Sequence, residues 1–309
     1  MDSKGADDGQ VHQEPNEIAA RIAQGLRHAG FSCETVNLVP TDTSVLRRDR
    51  IVVCVALILL TALAWSYLLW LSADMAMGGV DMSGSRTIPS GTGLMMPAHT
   101  PWRTREFAFV FATWTVMMVA MMTPSAGPMI LMYARMGRQT GAQGAPLAAT
   151  LWFVVGYFLI WATFSLFAVL VQWALERTAL LDAAMAITST VLGALVFVAA
   201  GSYQWTRLKD VCLTQCQTPF AFLMSNGGFR PDAPGALMLG LRHGAYCVGC
   251  CWVLMALLLV GGVMNVLWIV LLALLILLEK VTPLGRLIAS VAGTVLISAG
   301  AWLLAMGMS

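Results

Sequence analysis

Long apolar runs dominate this 309-residue chain and leave it few ways to fold. A helix needs about twenty apolar residues to cross the hydrocarbon core of a bilayer. Such runs occur at 51–71, 106–133, 147–172, 186–205, 244–264, 266–280 and 284–306. The expectation is an all-α, polytopic transmembrane helical bundle of about seven spans (residues 49–309) behind a short N-terminal extension (residues 1–48). The fifth and sixth runs are separated only by the region of Asn265, which predicts a tight helical hairpin. Charge is scarce where the runs lie. Only 11% of residues are charged, against roughly 25% in soluble domains, and eight of the sixteen acidic residues fall within the first fifty positions. A net charge of +2 gives no footing for a nucleic-acid partner; the bilayer is the partner that the composition demands.

The extension is polar and acidic and has no apolar core of a signal peptide, so the first run reads as a retained span. Ile18, Ile22 and Leu26 recur at helical spacing and predict an amphipathic helix that Gly30 would end. Cys33, His12 and His28 show no ligand spacing. Basic residues set the orientation. With the N-terminus inside, Arg47, Arg48, Arg50, Arg135, Arg138, Arg207, Lys209, Arg230, Arg242, Lys280 and Arg286 fall inside, and Arg86, Arg103, Arg105 and Arg177 outside. Eleven against four favours a cytoplasmic N-terminus and an external C-terminus.

Five of the seven cysteines fall in two groups, Cys212-Leu-Thr-Gln-Cys216 and Cys247-Val-Gly-Cys250-Cys251. Cys212 and Cys216 lie one helical turn apart, and His243, Cys247 and Cys250 or Cys251 form one stripe. Both groups are expected to meet near the inner membrane surface. Thiolate and imidazole are ligands for Cu(I), Zn(II) or an iron–sulfur cluster and are poor for Mg(II) or Ca(II). Thiolates in an apolar setting need a metal or a cation beside them, and Arg242, Arg207 and Lys209 are the nearest cations in sequence. Cys54, alone in the first run, reads as a packing residue.

Methionine is the second soft ligand. Met75, Met77 and Met82 lie in the first outside loop, followed by Met95, Met96 and His99. Thioethers with a nearby histidine suit Cu(I), although methionine also serves as adaptable filler. Met117, Met118, Met121, Met122, Met129 and Met132 run along the second span, with Trp114 and Ser125 on a stripe through 118, 121, 129 and 132. Pro124 and Pro128 interrupt that span, and broken helices mark binding sites in transporters. Glu279 and Lys280 close the short sixth span, where both can snorkel to the interface.

These residues together resemble a known family. The string Trp114-Thr-Val-Met-Met-Val-Ala-Met-Met-Thr-Pro-Ser-Ala-Gly-Pro-Met129 is followed by Tyr203-Gln204, Leu208-Lys209-x-x-Cys212-Leu213-x-x-Cys216, then Gly244-x-x-Cys247-Val-Gly-Cys250-Cys251-Trp252-x-Leu-Met255. Gly262-x-Met264-Asn265 and Glu279-Lys280 complete the pattern. It is similar to the bacterial predicted metal-binding integral membrane proteins, a domain of unknown function, over roughly residues 50–300. Two positions depart from it: Arg207 stands where the family has proline, and Gln217 where it has a basic residue. The resemblance implies a multi-pass protein of a bacterial inner (cytoplasmic) membrane that binds a metal.

The metal candidates are therefore Cys212, Cys216, His243, Cys247, Cys250, Cys251, Met75, Met77, Met82, Met118, Met121 and Met122. Copper is the favoured ion, with zinc or an iron–sulfur cluster as alternatives. The roles that follow are transport, sensing or delivery to a membrane enzyme, in exchange with a membrane-protein partner or a metal chaperone. Two other functions stay open. Cys247-x-x-Cys250 has the spacing of a thiol–disulfide pair, which suits a membrane redox protein, and the chain could be a structural subunit of a larger membrane complex.

Overall fold

The computed structural model describes residues 43–77, 85–87, 95–97, 104–139, 146–181 and 185–307. The chain divides into two compact units, Met1–Ser44 and Val45–Ser309. Apart from the start of the first helix, the N-terminal unit lies outside the described residues, and with it the helix expected around Ile18, Ile22 and Leu26. The second unit is an all-α bundle. Its helices are α1 (Thr43–Met77), α2 (Thr104–Gln139), α3 (Pro146–Arg177), α4 (Thr190–Tyr203), α5 (Arg207–Gln217), α6 (Pro219–Ser225), α7 (Ala233–Gly261), α8 (Val266–Val281) and α9 (Gly285–Gly307). Between α1 and α2, β1 (Ser85–Thr87) pairs antiparallel with β2 (Met95–Pro97).

Five of these helices, α1, α2, α3, α7 and α9, are long and apolar enough to cross a membrane. The fourth and sixth expected spans fall on α4 and α8, which have 14 and 16 residues. At a rise of about 1.5 Å per residue these reach only ~21–24 Å, short of the ~30 Å hydrocarbon core. Each packs one face against longer neighbours, α4 against α9 and α8 against α2, α7 and α9, and leaves the other exposed.

Local chemistry explains the boundaries. Asp232 caps α7, its carboxylate accepting from the Gly235 amide at 2.7 Å, and Pro234 occupies the first turn. The helix therefore starts at Ala233, eleven residues before the expected start of the fifth span. Gly262, at φ 88°, ends it in a conformation that costs other residues strain. Asn265 then caps α8 through the Trp268 amide, and Trp268 Nε1 donates back to the Leu257 carbonyl at 2.7 Å. The hairpin at Asn265 is as tight as its sequence predicts.

Both prolines of α2 lie within a continuous helix, contrary to the expected interruption. Their side chains face outward, and hydroxyls supply donors beside them: Thr123 to the Val119 carbonyl at 2.6 Å and Ser125 to the Met122 carbonyl at 3.0 Å.

Backbones come closest between α3 and α7. A Cβ at Gly240 would collide with the Phe153 carbonyl, and one at Gly156 with that of Leu237. Gly244 lies one turn further along α7, where a Cβ would stand 3.0 Å from the Tyr157 carbonyl. Lipid is as apolar as leucine, so small residues that permit close van der Waals approach drive helix pairing in membranes. This contact brings Tyr157 of α3 over the cysteine-bearing part of α7.

Candidate metal centre

The site assembles around the midpoint of α7. Cys247 lies fourteen residues before the end of α7, and Lys280 fourteen residues after the start of α8. In a helical hairpin those positions return to the same depth, ~21 Å from the turn, and the Lys280 Nζ is indeed 2.9 Å from Cys247 Sγ. The centre lies at the middle of α7 rather than near its start, where a span beginning at 244 would put it, because α7 continues for eleven more residues on that side.

Five helices, α2, α3, α5, α7 and α8, supply the side chains. Cys247 Sγ also meets the Tyr157 hydroxyl of α3 at 3.0 Å. Lys280 Nζ reaches Met122 Sδ of α2 at 3.7 Å and Cys251 Sγ at 3.9 Å. Cys216, at the end of α5, lies beside Cys247 and Cys250. The two cysteine groups therefore come together. Contact with the Cys247 and Cys250 sulfurs, then burial, holds the Cys216 thiol well above the ordinary range. Burial, then the neighbouring Cys250, pushes the Cys212 thiol up. All described cysteines are free thiols.

α5 is held in place by polar contacts as well as packing. Thr206 caps it through the Lys209 amide, and Cys212 sits over Gly249, where a Cβ would come within 2.8 Å of its sulfur. Tyr203 donates to the Gly249 carbonyl beside it. The two departures from the family pattern are accommodated here. Arg207 occupies the first helical position, where proline is common because no amide donor is needed. Gln217 Nε2 donates to the Glu279 carbonyl at 2.7 Å and to the Thr282 carbonyl, so an amide does for the end of α8 what a basic side chain does at a helix C-terminus.

Lys280 is the residue that sequence reasoning missed. Neither Glu279 nor Lys280 snorkels: they are 2% and 5% exposed. They also do not serve each other. Glu279 forms a buried ion pair with Lys209 at 2.6 Å, with Gln204 bonding to both. Of the three candidate cations for the thiols, Lys209 is thus committed to Glu279, Arg242 is exposed and bonds Asn226, and Arg207 is exposed. The available signal was a lysine at the end of an apolar run too short to reach the interface.

His243 lies on the same face of α7 one turn before Cys247, buried among the rings of Phe153, Tyr157 and Phe222. Its Nδ1 finds no hydrogen-bond partner among the described residues. A buried, unsatisfied nitrogen is rare enough to require an explanation, and a soft metal held beside Cys247 is one. Met118, Met121 and Met122 are fully buried, but so is Met117, so the methionine face of α2 is broader than one stripe. Of these, Met122 reaches the centre. Met75 and Met77 belong to the last turn of α1, their side chains outside the described residues, as are Met82 and His99. Met96 and Met95 pair with Arg86 and Thr87 in the β1–β2 ladder.

Among the described residues, no three His, Cys, Asp or Glu side chains form a ready-made ligand set. The reason is visible in the hydrogen bonds. The Cys250 and Cys251 thiols both turn back onto the Cys247 carbonyl, at 3.1 and 3.0 Å, and Lys280 stands among the sulfurs. The donors present, thiols, a thioether and an imidazole, nevertheless match the preferences of Cu(I).

A family model described as PpoB2, copper chaperone, matches residues 111–303. The chain belongs to this family. The matched region takes in α3 to α8 entirely and most of α2 and α9, and so every residue of the centre. Comparisons with curated proteins and with solved structures found no match. Membership in a copper-chaperone family agrees with the copper preference drawn from the cysteines and methionines.

Proposed function

We propose that this protein binds Cu(I) within the membrane, at the level of Cys247, and hands it to a partner membrane enzyme. The observation that carries the proposal is the convergence of soft donors from three helices: Cys247, Cys250 and Cys251 of α7, Cys216 of α5 and Met122 of α2. His243 and Cys212 flank this set, and Met118 and Met121 extend it along α2. Delivery is favoured over catalysis because thiol, thioether and imidazole donors hold a soft ion, while the site offers few hard ligands for oxygen chemistry. Family membership points the same way.

In this reading, Met75, Met77 and Met82 collect copper at the outer face of a bacterial inner membrane, and the methionines of α2 lead inward. The bias of basic residues supports a cytoplasmic N-terminus.

The test is metal content. Protein purified anaerobically under reducing conditions and loaded with Cu(I) is expected to hold one copper per chain, and the Cys247→Ser/Cys250→Ser variant to hold less than a tenth as much. Equal copper in the two proteins, or none in the wild type, removes the proposal. Zinc or an iron–sulfur cluster in its place at full stoichiometry would redirect it to those ions.

A further inference from the structure

Lys280 is a buried cation whose nearest partners include sulfurs. Its Nζ contacts three sulfurs on two helices, Cys247 at 2.9 Å, Met122 at 3.7 Å and Cys251 at 3.9 Å, and the residue is 5% exposed. An ammonium is a strongly hydrated point charge with three donors, whereas thioether sulfur is a weak acceptor. The same sulfurs are good ligands for Cu(I). The nest therefore has the geometry for a small cation and the chemistry of a soft one.

The geometry points to Lys280 as a displaceable occupant of the copper seat, and so to a residue that sets how tightly the protein holds its cargo. This inference rests on the copper reading above. Bound Cu(I) and the ammonium cannot share the position between Met122 and Cys247, so every copper that enters must move Lys280 out. The lysine has somewhere to go. It lies in the last turn of α8, where a cation interacts favourably with the C-terminal end of the helix dipole. Return of the ammonium to the sulfurs then opposes copper occupancy and favours release. A chaperone that must surrender its metal benefits from such a competitor; a storage site does not. Lys209 cannot substitute for it, being paired with Glu279.

The experiment measures Cu(I) affinity in detergent by competition with a chromophoric Cu(I) chelator, for wild type, Lys280→Gln and Lys280→Met. Removing the competing cation is expected to tighten binding at least about tenfold in both variants, since a like charge at this distance opposes the metal. Equal or weaker binding by both variants overturns the inference while leaving the copper reading in place. Absence of Cu(I) binding by the wild type overturns both. A measurement on the unmodified protein covers variants that fail to fold: reductive methylation of Lys280, read by mass spectrometry. Copper loading is expected to raise it several-fold; unchanged or reduced methylation rejects displacement.

Discussion

Over their most apolar eighteen residues α1 and α7 are close in hydropathy, at 2.5 and 2.1, yet 17% of that stretch is buried in α1 and 56% in α7. Ile58, Leu59, Leu63 and Leu69 of α1 are exposed, and its buried residues are Val53, Ala64, Leu68 and Leu71. α7 buries Ala236, Gly240 and Gly244 and, beyond them, His243, Cys247, Cys250 and Cys251. Apolarity selects the membrane for both helices but does not rank them within it. Large aliphatic side chains are as content with lipid as with protein, while small residues gain only by close approach to another backbone. Close approach is also what excludes lipid and makes room for a polar site. The helix that carries chemistry is therefore marked by glycine and cysteine rather than by hydropathy.

Breaking the polar part of the packed region is expected to cost most. Lys209→Met leaves Glu279 buried without its ion-pair partner, a loss of about 3–5 kcal/mol, measurable by denaturant unfolding in mixed micelles. Adding Glu279→Leu should recover most of it, because neither buried charge then remains; if the double variant is no better than the single one, the pair contributes more than mutual neutralisation. Gly240→Leu forces α3 and α7 apart at the Phe153 carbonyl and is expected to cost about 1–3 kcal/mol, the usual range for overpacking. The same unfolding assay reads it. On α1, Leu63 is 69% exposed, and Leu63→Ala should stay within about 0.5 kcal/mol, as surface substitutions do. A cost for Leu63→Ala comparable to that of Gly240→Leu would mean that α1 is packed against a protein surface and that the contrast between the two helices is false.

Much of the bundle was legible from residue patterns. The runs beginning at 51, 106, 147 and 284 all lie on long apolar helices, and Asn265 marks the α7–α8 hairpin. The misread boundary at 244 has a clear cause: Arg242 and His243 end the uninterrupted apolar run, but a helix started by Asp232 and Pro234 continues through them, exposing one and burying the other. The prolines of α2 misled in the opposite direction, since the helix runs on through both with their rings on its exposed face, and only packing decides which face that is. The convergence of Cys216 with Cys247 and Cys250 was foreseeable from one-turn spacing on two helices; the presence of Met122 in the same group was not, because no local pattern relates α2 to α7.

The long apolar runs with which the chain is first recognised settle its class, its helical architecture and the soft chemistry of its cysteines and methionines. These follow from composition and period, which need no knowledge of neighbours. The depth of the centre, and the opposite fates of two adjacent residues, do not. Glu279 and Lys280 differ by one position, about 100° around a helix, and that rotation sends one to Lys209 and the other to the sulfurs. Which partner each meets depends on where α5 and α2 lie against α8. Those positions are set by glycine contacts, helix caps and the buried Lys209–Glu279 pair, drawn from distant parts of the chain, so the identity of the cation beside the thiols could emerge only from packing.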